Sequence, residues 1–124
     1  MKMQEILLID DDPVINFINK KVVESEFPHD RIIILEDGLS AIEYIRINPG
    51  KSYLVFLDIN MPIMNGWEFL EAISNEPKKF DLKIYMLTSS VDESDKNKAR
   101  ENKQVLSYLS KPLKTDFLKE IKIS

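Results

Sequence analysis

The stretch ILLIDDDPVI, residues 6–15, runs from four apolar residues into three consecutive aspartates and then a proline. An apolar run that stops abruptly at carboxylates reads as a buried strand carrying polar groups at its tip. Pro13 then reads as the first residue of a helix. Asp12 suits the N-cap before it, because its carboxylate can accept from early helical N–H groups and proline is tolerated in the first turn. Asp12 is therefore structural. Asp10 and Asp11 are left side by side, and like charges this close are costly unless solvent or a cation relieves them.

Four further apolar runs follow: IIIL at 32–35, YLVFL at 53–57, IYML at 84–87 and VLSYL at 105–109. Continuous runs suit strands of a parallel sheet covered by helices on both faces, whereas a half-exposed antiparallel sheet would alternate apolar and polar residues. The intervening segments carry helical stripes: Val14, Ile15, Ile18 and Val22; Leu39, Ile42 and Ile45; Phe69, Leu70 and Ile73; Leu113, Phe117 and Ile121. Pro28, Gly38, Pro49 with Gly50, Gly66 and Pro77 punctuate the boundaries. Five strands alternating with helices predict an α/β, (βα)5 doubly wound fold with a five-stranded parallel sheet. The segment DESDKNKARE, 92–101, has Ala99 as its only apolar residue, so a helix there would barely touch the core and would move easily.

Composition narrows the function. A chain of 124 residues fits one domain with a real core. Seventeen basic against 21 acidic residues give a net charge of −4, which argues against nucleic acid or an anionic membrane as the main ligand. The absence of cysteine excludes disulfide frameworks, thiolate zinc sites and cysteine nucleophiles, and fits a reducing cytoplasm. No segment approaches the roughly 20 apolar residues of a membrane span, nor a signal-peptide core.

Open parallel sheets bind ligands beyond the carboxyl ends of their strands. Collected there are Asp10, Asp11 and Asp12 after strand one, Asp58 and Asn60 after strand three, Thr88 and Ser89 after strand four, and Lys111 with Pro112 after strand five. If these strands are near neighbours, carboxylates face a hydroxyl and an ammonium, forming a hard-cation site beside an anion site. Carboxylate oxygens suit Mg²⁺, which favours an octahedron of oxygens at about 2.0 to 2.1 Å.

These residues closely resemble the receiver domains of two-component response regulators. The acidic pair with Asp12 and Pro13 is similar to that family's strand-one motif. Asp58-Ile-Asn-Met-Pro-Ile-Met-Asn-Gly66 matches its D-x-x-M-P-x-M-x-G loop, Thr88 closes strand four, and Tyr108 precedes Lys111-Pro112 at the family's spacing. The resemblance spans residues 4–122 and implies a flavodoxin-like, CheY-like sheet of order 2-1-3-4-5. It implies that Asp58 is the phosphoacceptor, taking a phosphoryl group from a histidine kinase or phosphotransfer protein. Asp11 and Asp58 would then ligate Mg²⁺ directly, Asp10 through water, and Asn60 through its backbone carbonyl. Lys111 would pair with the transferred group, with Pro112 as the family's cis-proline. Thr88 would donate to a phosphoryl oxygen and Tyr108 would turn inward, together changing the surface of the fourth helix, fifth strand and fifth helix toward a target protein.

Three positions depart from the family pattern. Gln104 and Val105 replace a common Gly-Ala pair, and Ser89 replaces an alanine after the threonine. These departures remove no catalytic group, but the lifetime of an aspartyl phosphate would depend on this loop, and the resemblance implies that Asn60 and Ser90 would flank the path of attacking water.

Other readings compete. An aspartate-nucleophile phosphatase of the haloacid dehalogenase type would want a second Asp two residues after its nucleophile, where Asn60 follows Asp58; Asp10 to Val14 does spell D-x-D-x-V, but the immediate helix leaves no room for a cap. A flavodoxin-like cofactor binder would want a phosphate-cradling glycine loop, and the chain has three glycines, none ending strand one. A third alternative is a docking module that works without phosphorylation. His29 lies in the proline-flanked FPHD and reads as a loop residue, not a phosphodonor. The last predicted helix runs almost to Ser124, so no output domain is expected and a stand-alone, cytoplasmic receiver, monomeric or dimerising on phosphorylation, is the reading; a domain excised from a longer chain would look the same.

Overall fold

The computed structural model describes residues 4–89 and 92–123. Its elements alternate strictly: β1 (Gln4–Ile9), α1 (Pro13–Glu26), β2 (Arg31–Leu35), α2 (Gly38–Ile47), β3 (Ser52–Asp58), α3 (Gly66–Ser74), β4 (Asp81–Thr88), α4 (Glu93–Glu101), β5 (Val105–Ser110) and α5 (Thr115–Ile123). All strand pairs are parallel, in the order β2-β1-β3-β4-β5. The chain therefore starts in the sheet, winds to one edge, returns past β1 and continues to the other. Among the described residues no helix is long and apolar enough to cross a membrane.

Each face of the sheet has its own core. On one side Leu7, Ile9, Val55, Leu57, Ile84 and Met86 meet α2, α3 and Ala99 of α4; on the other Ile6, Leu8, Leu54, Phe56, Tyr85 and Leu87 meet Val23 of α1 and Leu118 of α5. The three central strands are buried on both faces toward their carboxyl ends, which explains their uninterrupted apolar runs. Strands β2 and β5 also read as continuous runs, yet they lie at the edges and stay half open, with Ile34 and Leu106 exposed.

Two of the stripes expected from sequence are corrected. Helix α1 turns Asn16, Asn19 and Val23 toward the sheet and leaves Val14 and Phe17 each 63% exposed. Periodicity chose the apolar stripe Val14, Ile15, Ile18 and Val22, whereas buried hydrogen bonds made by the two asparagines decide the rotation of the helix. Leu113 is buried but precedes α5, whose deepest residue is Leu118.

Strand β5 contains an irregularity that composition cannot reveal. Ile84 pairs with Val105 but Tyr85 pairs with Ser107, so Leu106 is an extra residue in the ladder. Because side chains alternate, one inserted residue exchanges the faces of everything after it. Tyr108 thus shares the face of Met86, on the α4 side, instead of that of Leu87.

Candidate functional site

The carboxyl ends of β1, β3, β4 and β5 bring the sequence-predicted residues together. Asp58 is the last residue of β3 and Asp10 immediately follows β1; both are buried, as is Thr88 at the end of β4. Lys111 follows β5 and sends its ammonium between the two acids, 2.6 Å from Asp10 Oδ2 and 2.9 Å from Asp58 Oδ1. The Lys111 N–H donates to the Thr88 carbonyl at 2.8 Å, and the Lys111–Pro112 peptide bond is cis.

The three aspartates of the opening stretch have separate tasks. Asp12 caps α1, its Oδ1 accepting from the Val14 N–H at 2.9 Å and the Ile15 N–H at 3.4 Å, with Pro13 beginning the helix. Asp10 turns inward, accepting the Asp12 N–H on Oδ1 at 2.9 Å and the Lys111 ammonium on Oδ2. Asp11 remains exposed at the rim, with one carboxylate oxygen in a group with those of Asp10 and Asp58, all within 4.8 Å of one another. Three hard oxygen donors from two strand ends fit a small divalent cation such as Mg²⁺. Such a cation would also relieve the crowding of negative charge that one lysine meets only in part.

Electrostatics work against the charged form of Asp58. Burial pushes its carboxyl up from the ordinary value, the nearby Asp10 charge adds to the rise, and neither Lys111 nor the Ile59 N–H, at 2.9 Å from Oδ1, fully offsets it. Lys111 moves the opposite way from what burial alone would cause, because Asp10 and Asp58 hold its ammonium above the usual lysine range. The pair is thus a charged couple in a poorly solvated cleft, the environment in which a carboxylate can attack an electrophile while an adjacent ammonium steadies incoming negative charge.

The loop after Asp58 is shaped by close backbone approaches. The Gly66 N–H donates to the Ile59 carbonyl at 2.8 Å, and a Cβ at Gly66 would sit 2.4 Å from the Asp58 carbonyl oxygen. Only glycine fits there. Between them, Ile63 adopts φ 67° while the Met64 N–H donates to the Pro62 carbonyl at 2.7 Å, a tight three-residue turn rarely tolerated by a β-branched residue. Asn60 is exposed at the mouth. Ser90 lies outside the described residues.

Tyr108 is half-buried, with its hydroxyl buried beside Thr88. Burial pushes its phenol up, and the nearby Thr88 hydroxyl pulls it partly back. The inward tyrosine and the site threonine are therefore neighbours. Sequence reasoning missed Asn16 and Asn19, which pack beneath the site: Asn16 Nδ2 donates to the Asp10 carbonyl at 2.8 Å, and Asn19 Oδ1 accepts the Leu113 N–H at 2.9 Å. The available signal was two amides at i and i+3 in a helix expected to present an apolar face.

Comparison with known proteins gives one family. Residues 6–122 match the family model for the response regulator receiver domain. The Probable methanogenesis regulatory protein FilR2 of Methanothrix harundinacea is 31% identical over 118 residues, covering 92% of this chain and 76% of FilR2. A two component response regulator structure from Cytophaga hutchinsonii superposes with a TM-score of 0.86 at 30% identity, over 99% of this chain and 96% of that one. The Mn²⁺-bound form of response regulator Rcp1, a Synechocystis protein, superposes with a TM-score of 0.72 at 30% identity, over 94% and 86% of the two chains.

Proposed function

The chain belongs to the response regulator receiver family of two-component signalling, and from that premise we propose that it accepts a phosphoryl group on Asp58 from a histidine kinase or phosphotransfer protein. The observation that carries this reading is the Lys111 ammonium lodged between Asp10 and Asp58 with Asp11 at the rim. In the transfer, a carboxylate oxygen of Asp58 bonds to phosphorus as the bond from phosphorus to the donor's imidazole nitrogen breaks. Water later attacks the acyl phosphate, returning the carboxylate and releasing inorganic phosphate. Transfers of this kind need in-line positioning and positive charge near the equatorial oxygens more than covalent assistance.

Lys111 supplies part of that charge as a point cation. Asp11, Asp58, the Asn60 backbone carbonyl and, through water, Asp10 would hold Mg²⁺, which when bound neutralises phosphoryl oxygens; the Mn²⁺-bound form of Rcp1 supports a divalent cation in this fold. Thr88 would donate its hydroxyl to the phosphoryl group, and Tyr108, its neighbour, would report the change to the α4-β5-α5 surface where a target protein binds. That face is supported as a mobile one by α4, which buries only Ala99. The output is a shift in population, since couplings between sites typically run to about 1–3 kcal/mol. On this reading the protein acts in the cytoplasm and exerts its effect through a protein partner, without steady turnover of a substrate.

Intact mass after incubation with acetyl phosphate, with and without Mg²⁺, tests the reading on wild type and Asp58→Asn. One Mg²⁺-dependent phosphoryl adduct, absent from the variant, is expected. No adduct under any condition would leave a docking module independent of phosphorylation, and continuous turnover of a phosphate ester would make the protein a phosphatase.

A further inference from the structure

Helix α1 spends its inward face on two amides while larger apolar residues stand outside. Asn16 and Asn19 are 3% and 2% exposed, whereas Val14 and Phe17 are each 63% exposed. A helix packed on a sheet gains most by turning its apolar residues inward. Apolar side chains are not lacking in α1, so the arrangement needs another cause, and the hydrogen bonds supply it. Asn19 Oδ1 accepts the N–H of Leu113, a residue 94 positions later, at 2.9 Å. Asn16 Nδ2 reaches the carbonyl of Asp10 at 2.8 Å.

These bonds sit on either side of the ion pairs. Lys111 has its own N–H fixed to the Thr88 carbonyl, Pro112 has no N–H to offer, and the next amide, that of Leu113, is the one Asn19 takes. The turn that carries the ammonium is thereby held at both ends, once by β4 and once by α1. Asn16 fixes the backbone of Asp10, whose Oδ2 receives that same ammonium.

We propose that Asn19 is a positioning residue for phosphoryl uptake, holding the Lys111–Leu113 turn so that the ammonium stays between Asp10 and Asp58, with Asn16 fixing the Asp10 side of the same cleft. The inference rests on Asp58 being the phosphoacceptor, and it adds α1 to the machinery through two side chains that touch no reacting atom. Neither amide contributes charge; each removes freedom from a charged group, and small misplacements at a transfer site are expensive in rate.

The test compares wild type with Asn19→Leu, which keeps the branched shape and loses the acceptor, and with Asn19→Asp, which keeps an acceptor oxygen. Asn19→Ala replaces the leucine variant if leucine does not fold. Phosphoryl uptake from acetyl phosphate is followed over a range of donor concentrations, and the ¹⁵N signal of the Lys111 ammonium is recorded without donor. The leucine variant is expected to melt below wild type because the buried Leu113 N–H loses its acceptor, to lose about tenfold to a hundredfold in the saturating rate with little change in half-saturation, and to show the Lys111 signal moved toward that of a free lysine. Asn19→Asp is expected to restore part of the rate. A leucine variant with the wild-type rate and an unmoved Lys111 signal would reduce Asn19 to core filling and overturn the proposal. If wild type itself takes up no phosphoryl group, the functional reading falls, while the Lys111 signal still decides whether Asn19 holds the turn.

Discussion

Lys111 sets its ammonium 2.9 Å from Asp58 Oδ1, yet the Asp58 carboxyl stays above its ordinary range, because burial and the adjacent Asp10 charge outweigh this ion pair. The ionised form of Asp58 is therefore held at a cost to the fold. That is characteristic of groups arranged for chemistry instead of stability.

Replacing Asp58 by Asn should raise the thermal midpoint at pH 7. The sign follows from linkage: a carboxyl whose folded pKa lies above its unfolded value of about 3.8 destabilises the fold once it is ionised in both states. Below that value both states are protonated and the penalty vanishes. The advantage of Asp58→Asn should thus shrink as the pH is lowered toward 3.8, as read by melting curves across that range. A variant less stable than wild type at neutral pH would contradict this account.

Mg²⁺ should stabilise the protein through the same acids. A ligand that binds only the folded state adds about 2.7 kcal/mol at a hundredfold excess over its dissociation constant. Asp11 is exposed and belongs to the carboxylate group at the rim, so Asp11→Asn should fold normally but lose most of the Mg²⁺-induced rise in thermal midpoint. A full rise in that variant would remove Asp11 from the ligand set.

The parts legible in the sequence are those governed by local pattern. Central strands buried on both faces must be continuously apolar, and the strand tips must carry the polar groups, so the sheet and the cluster of Asp10, Asp11, Asp58, Thr88 and Lys111 could be read before any coordinates. What escaped depends on distant partners or on backbone geometry. Asn19 is explained by Leu113, and no periodicity within α1 points there. The inward place of Tyr108 depends on the extra residue at Leu106, and the strained turn at Ile63 on its surrounding loop. Glu5, inside a strand and wholly buried, is explained by Tyr44 and Lys51, 39 and 46 residues away.

That buried acid gives a third prediction. The Tyr44 hydroxyl donates to Glu5 Oε1 at 2.5 Å and the Lys51 ammonium lies 2.9 Å from Oε2. Burial alone would raise the Glu5 carboxyl, but these donors together hold it below its ordinary value, while burial and the bond to Glu5 push the Tyr44 phenol up to about 12. A depressed carboxyl contributes stability above its unfolded pKa of about 4.5 that is lost as the pH falls through the folded value. Tyr44→Phe should therefore cost about 1–3 kcal/mol in urea unfolding at pH 7, since it leaves a buried carboxylate short of a donor. The difference should narrow in acid, and an equal loss at every pH would assign it to packing.

Helix α4 supplies the last prediction, because its attachment to the body is so slight. Ala99 is its one buried residue among those described, and beyond that the Lys98 ammonium lies 5.4 Å from the centre of the Trp67 ring at the start of α3. Cavities of about 350 Å³ flank it, one against Tyr108 and Val105 and the other against Trp67. A helix with so little buried apolar surface should open at low free energy, so its amides should exchange with solvent faster than those of α1, α2, α3 and α5. Exposed Lys98 offers a direct probe, since a cation over an aromatic ring at such a site is worth only about 0.5–1 kcal/mol. Lys98→Ala should leave global unfolding almost unchanged, speed exchange within α4, and alter Trp67 fluorescence. Slow exchange in α4, matching that of α3, would mean that the helix is fixed by contacts other than Ala99 and Lys98 and would remove it as the moving part of the proposed switch.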